Sequence, residues 1–103
     1  MVEYAFHPDA LLEYAEATNY YLVQASPDIA ERFVALVESS VKAIVAAPDR
    51  WPLVEEPGIR RHLLKRFPYL LYYRWDSEKE RVIILAIMHC SRKPGYWKER
   101  SGT

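Results

Sequence analysis

Twelve consecutive residues of the sequence, His89-Cys90-Ser91-Arg92-Lys93-Pro94-Gly95-Tyr96-Trp97-Lys98-Glu99-Arg100, bring together a proton-exchanging side chain, several cations and two aromatic rings. The segment follows an apolar run, at a point where side chains become exposed while the backbone is still held by a strand. A histidine there could exchange protons near neutral pH. Arg92 could steady a phosphate, and Tyr96 or Trp97 could stack on a base. Read as anion or target binding, the set is Arg92, Trp97 and Arg100. The plainer alternative has His89 capping the strand and the aromatic residues folding back onto a sheet.

A second basic run, Arg60-Arg61-His62-Leu63-Leu64-Lys65-Arg66, lies upstream. On a strand, Arg60, His62, Leu64 and Arg66 share one face, and Arg61, Leu63, Lys65 and Phe67 share the other. Both faces then carry cations, and covering both would strand unpaired charge. Either one face is open, or the strand lies at an edge, where charge also deters unwanted pairing. The functional reading gives Arg60, Arg61, Lys65 and Arg66 contacts to phosphate or carboxylate.

The charge distribution sharpens that reading. The net charge of the 103 residues is zero. Residues 1–57 carry three basic side chains against ten acidic ones, a balance of −7, and residues 58–103 carry eleven against four, a balance of +7. Such asymmetry suggests an anionic partner for the second half. The two halves could instead attract each other.

Other chemistries find little support. Three glycines in all leave no glycine-rich phosphate loop, no His, Cys and carboxylate group has zinc-like spacing, and no GxSxG occurs. Neither a metal nor a cofactor is therefore expected. His89 and Cys90 are neighbours on a strand and point to opposite faces, so they do not form a dyad. A lone cysteine, Cys90, and the lack of a basic-then-apolar leader point to a reduced, cytoplasmic protein. The longest apolar run, Val82 to Met88, is too short to cross a bilayer.

The elements that would position these residues follow from periodicity. Val2 to Phe6 alternates and reads as a short strand. Pro8 and Asp9 suit a helix start, and Leu11, Tyr14, Ala15, Thr18, Tyr21, Leu22 and Ala25 form one helical stripe. Ser26-Pro27-Asp28 is a second start signal. Ile29, Phe33, Leu36, Val37, Val41, Ile44 and Val45 make a second stripe, ended by Pro48. The connection is so short that the helices must form an antiparallel hairpin. A loop with three prolines spans Pro48 to Pro57, and strands follow over Ile59 to Phe67, Tyr69 to Trp75 and Val82 to Met88. The last is apolar throughout and is expected at the centre of the sheet. The prediction is one α+β domain over residues 1–103, in the order β-α-α-β-β-β. An N-terminal strand and an antiparallel helical hairpin precede a three-stranded antiparallel meander, in two layers.

The basic strand, the F-P-Y turn at Phe67-Pro68-Tyr69 into an aromatic strand, the apolar strand and the closing H-C-S-R-K-P-G-Y-W-K-E-R together resemble the RelE/ParE superfamily of toxins from type II toxin–antitoxin systems. The resemblance runs over essentially the whole chain, including the P-D-I-A-E-R-F start at Pro27. It implies a toxin neutralised by a cognate antitoxin, whose partly helical segment wraps it. An acidic, amphipathic tail would suit the +7 half, and no membrane is involved. It also implies one of two activities. ParE-like members inhibit DNA gyrase without being enzymes, and the hairpin with the F-P-Y and P-x-Y-W features is similar to these. RelE-like members cut mRNA on the translating ribosome. Carried over from them, the cleavage candidates are Arg61, Lys65, His89, Arg92 and Tyr96.

Overall fold

The computed structural model describes residues 1–102. Five strands form one mixed sheet in the order β1-β5-β4-β3-β2. They are β1 (Glu3–Phe6), β2 (Leu53–Glu55), β3 (Ile59–Leu63), β4 (Tyr69–Asp76) and β5 (Arg81–His89). Between β1 and β2 run helices α1 (Pro8–Gln24) and α2 (Pro27–Ala46), and a 3-10 segment, Tyr96–Gly102, follows β5. The predicted meander is present as β3, β4 and β5, each antiparallel to the next. Two strands extend it: β1 runs parallel to β5, and β2 pairs antiparallel with β3. β2 lies inside the proline-rich stretch that the sequence presents as loop.

Local chemistry sets the helix limits. The His7 side chain accepts the Asp9 N–H at 3.1 Å and caps α1. The amides of Ala25 and Ser26 both donate to the Tyr21 carbonyl, closing α1. Ser26 then caps α2 through a 3.2 Å bond from the Ile29 N–H. The hairpin therefore turns within two residues. Phe33, Val37, Val41 and Ile44 recur at the spacing of one helix face and are at most 3% exposed.

The stripe of α1 is rotated from the predicted one. Ala10 and Ala17 are buried and Tyr14 and Tyr21 half-buried, whereas Leu11 and Leu22 are 51% and 48% exposed. Tyr14 and Tyr21 pack against Phe33, with ring centroids 6.2 and 5.2 Å away. The two small alanines let the helix lie close over β5, and the leucines are left on the outside.

β5 is buried on both faces, as its composition requires. Val82, Ile84 and Ile87 join the hairpin-side core. Leu85, Ala86 and Met88 form a second cluster with Tyr72 and Trp97 on the far side. A bulge makes this possible: Tyr72 pairs with Ala86 and Tyr73 with Ile84, which leaves Leu85 as the extra residue. The 3-10 segment covers the far face by stacking Trp97 on Tyr72 at 4.3 Å. No helix among the described residues is long and apolar enough to cross a membrane.

Candidate functional site

β1 stops at Phe6, and its pairing with β5 ends where the His7 N–H reaches the Ile84 carbonyl at 2.8 Å. From Leu85 onward that edge of β5 has no strand beside it. Its polar groups are taken by side chains instead. The Ile87 N–H donates to Glu13 Oε1 at 3.1 Å, and the Leu85 carbonyl accepts from Arg100 Nη1 at 2.9 Å. Glu13 and Arg100 are themselves joined by two bonds, of 3.0 and 3.2 Å. Arg92 Nη1 donates at 3.4 Å to Glu13 Oε2, the oxygen that Arg100 Nη2 also holds. Both guanidinium groups approach the Tyr96 ring, Arg92 at 3.5 Å and Arg100 at 5.0 Å from its centre. Burial, reinforced by the Glu13 carboxylate, holds the Tyr96 phenol well above its ordinary pKa.

His89 stands at the exposed end of β5. Its Nδ1 accepts the Ser91 backbone N–H at 3.0 Å and lies 2.7 Å from the Ser91 hydroxyl. A backbone amide can only donate, so the ring proton is assigned to Nε2. The ring meets Tyr69 edge-on at 5.1 Å. His89 and Arg92 line a small cleft of about 230 Å³ that also holds Glu13, Glu16, Tyr20 and Tyr69. Two carboxylates in so small a space oppose the entry of a phosphate.

The upstream basic run is divided among three environments. Arg60 turns to the hairpin side and donates to the carbonyls of Asp49 (3.1 Å) and Trp51 (2.7 Å), pinning the loop after α2. Tyr73 supports the same loop through its hydroxyl, which donates to the Pro48 carbonyl at 2.6 Å. His62 is half-buried, 4.7 Å edge-on from Trp51. Burial, aided by Lys65, pulls its pKa below the usual value. Arg61 pairs across the ladder with Tyr72 and is exposed on the opposite face. β3 ends at Leu63, so the alternation predicted through Phe67 breaks off. Arg66 sits in the left-handed region at φ 70°, and Lys65 and Arg66 project from the β3–β4 turn.

That turn forms one wall of a groove of about 940 Å³, whose other wall is α2. Ile29, Leu36 and Phe67 supply apolar surface, and Arg32, Lys65 and Arg66 supply three cations.

The structure thus places Arg92 in one cleft with His89 and against the Tyr96 ring, but pairs Arg92 with Glu13 and packs Tyr96 on Arg92 and Arg100. Trp97, 3% exposed, is core and is out of reach of a ligand. Arg60 and Arg100 serve internal contacts, while Arg61, Lys65 and Arg66 stay on the surface, clear of any ion pair among the described residues. Sequence reasoning missed Glu13 and Arg32. Glu13 falls on the buried arc of Ala10, Tyr14 and Ala17, and a carboxylate on such an arc demands a cation. No cluster of His, Cys, Asp and Glu among the described residues could hold a metal ion.

Comparison with known proteins adds the following. The family model described as "ParE toxin of type II toxin-antitoxin system, parDE" matches residues 4–94. A chain of the chromosomal ParDE TA system from P. aeruginosa superposes with a TM-score of 0.73 at 24% identity, covering 86% of this chain and 96% of its own. The isolated E. coli RelE toxin superposes with a TM-score of 0.63 at 16% identity, covering 99% of this chain and 98% of its own. At these identities the superpositions establish a shared fold. No curated protein matches by sequence.

Proposed function

The chain belongs to the ParE toxin family of type II toxin–antitoxin systems, and from that premise we propose that it acts as a non-enzymatic inhibitor of DNA gyrase, held inactive by its cognate antitoxin. The observation that carries the non-enzymatic reading is the Glu13 carboxylate between Arg92 and Arg100. A ribonuclease of this fold would need its arginine and tyrosine open to a scissile phosphate. Here the carboxylate holds the place of that anion, and Glu16 adds a second negative charge to the cleft. The Tyr96 ring is packed against the guanidinium groups of Arg92 and Arg100, and its hydroxyl is buried, which leaves it poorly placed to reach a scissile phosphate.

The antitoxin contact falls on the large groove. Its apolar floor and its rim of Arg32, Lys65 and Arg66 suit an acidic, amphipathic segment that folds as it binds.

The deciding experiment is a supercoiling assay with purified gyrase beside a translating extract. The expected result is blocked supercoiling at micromolar toxin with mRNA left intact. Codon-positioned cuts with unaffected supercoiling would replace this reading with ribosome-dependent cleavage. The one feature favouring that second reading is the exposed His89 in the same cleft as Arg92.

A further inference from the structure

Two hollows on the outer side of the helical hairpin, of about 490 and 420 Å³, run together into one groove, with Thr18, Leu22 and Val34 lining both. The floor is apolar, and Leu11 and Leu22 lie there half-exposed. The face of α2 on this side carries two carboxylates, Glu31 and Glu38, with one cation, Lys42, a turn beyond Glu38. Glu31 lines the groove, and Glu38 holds the hydroxyl of Tyr14, another lining residue, at 2.9 Å. Glu31 and Glu38 stand two helical turns apart on one face of α2, a separation of roughly 10 Å. Neither is in an ion pair among the described residues. The sign is opposite to that of the groove on the other side of α2, rimmed by Arg32, Lys65 and Arg66.

We infer that this outer groove is a second docking surface, independent of the basic groove, and that it takes a short basic amphipathic helix of a partner protein. The apolar stripe of that helix covers Leu11, Leu22 and Val34, and two of its cations, seven residues apart, face Glu31 and Glu38. Charge selects this occupant over others. A second copy docked symmetrically through the same face would bring another acid-rich hairpin against these carboxylates, since residues 1–57 carry a balance of −7. Nucleic acid and anionic lipid are repelled for the same reason. The inference does not depend on gyrase being the target.

The test uses the full chain and a fluorescein-labelled, alanine-based peptide of about 14 residues, long enough for a helical stripe. The peptide carries leucines at helical spacing and two lysines seven apart, and a matched peptide carries glutamates instead. Anisotropy reads the affinity, and amide chemical shifts read the location. The lysine peptide is expected to bind and to shift Thr18, Leu22 and Val34. Glu31→Lys combined with Glu38→Gln should weaken it by at least about fivefold. Leu22→Asp should abolish binding while leaving the melting temperature close to wild type, because Leu22 is half-exposed. Equal binding of the glutamate peptide, or shifts centred on Arg32 and Lys65, would overturn the inference. So would concentration-dependent dimerisation abolished by Leu22→Asp, which would assign the groove to a second copy.

Discussion

Glu13 and Arg100 meet across 87 residues of sequence in a two-bond ion pair that closes the open edge of β5. Their side chains are 12% and 14% exposed, and each also satisfies a backbone group of the strand. Removing one partner leaves the other as a nearly buried, uncompensated charge. Glu13→Ala and Arg100→Ala should therefore each cost about 3 kcal/mol, read by urea denaturation. Glu13→Leu with Arg100→Leu should cost less than the two single changes summed, and strict additivity would show that the pair is not coupled.

Arg92 is different, because it is 53% exposed and touches Glu13 only at 3.4 Å. Arg92→Ala should lower stability by no more than about 1 kcal/mol. His89→Ala should leave growth arrest on induction at wild-type strength, since its ring binds only Ser91 and leans on Tyr69. Loss of arrest in a stably folded His89→Ala variant would point to proton transfer and hence to an enzyme.

His62 gives the fold an acid limb. An unperturbed histidine gains its proton near pH 6.5, whereas burial, with Lys65 adding to it, keeps folded His62 neutral to lower pH. The unfolded chain then binds the extra proton first. Stability is intact above the ordinary value and falls as pH drops through the folded one. Melting curves from pH 7 downward should show this loss, and His62→Phe, which keeps a ring against Trp51, should flatten it.

Tyr73 acts at the alkaline end. Burial pushes its phenol up to about 12 from an ordinary 10. The raised value favours the neutral folded form, so its contribution is whole below pH 10 and disappears as pH rises toward 12. Ultraviolet titration should show this phenol ionising only with unfolding, and Tyr73→Phe should remove the late step.

The helical hairpin separates core from surface in a way that mutation can read. Phe33→Ala should cost roughly 3–5 kcal/mol, because Phe33 is fully buried among Tyr21, Phe67 and Tyr69. Leu11→Ala should stay within about 1 kcal/mol. Similar losses at both sites would restore the stripe first read from the sequence.

That contrast shows where the sequence was readable. Ser26-Pro27-Asp28 carries its start signal in three adjacent residues, and the all-apolar Val82 to Met88 announces a strand covered on both faces. Both are local. The rotation of α1 was hidden because Leu11 and Leu22 score as core by type, while the true contacts use Ala10 and Ala17 with two tyrosines. β2 was hidden because Leu53–Glu55 is only three residues long and is flanked by prolines. The site was half visible. The clustering of His89, Arg92 and Tyr96 follows from a short segment at a strand end, whereas the partner that occupies Arg92 and Arg100 comes from the first helix. No periodicity links residues so far apart.

The parallel pairing of Glu3 with Arg81 also orders events during synthesis. The first strand leaves the ribosome long before its partner exists, and the hairpin that follows has no sheet centre to cover until β5 has been made. Native pairing of β1 must wait until residues 81–89 have been made. A chain still short of Arg81 therefore cannot complete the native sheet, whatever its helices have already formed.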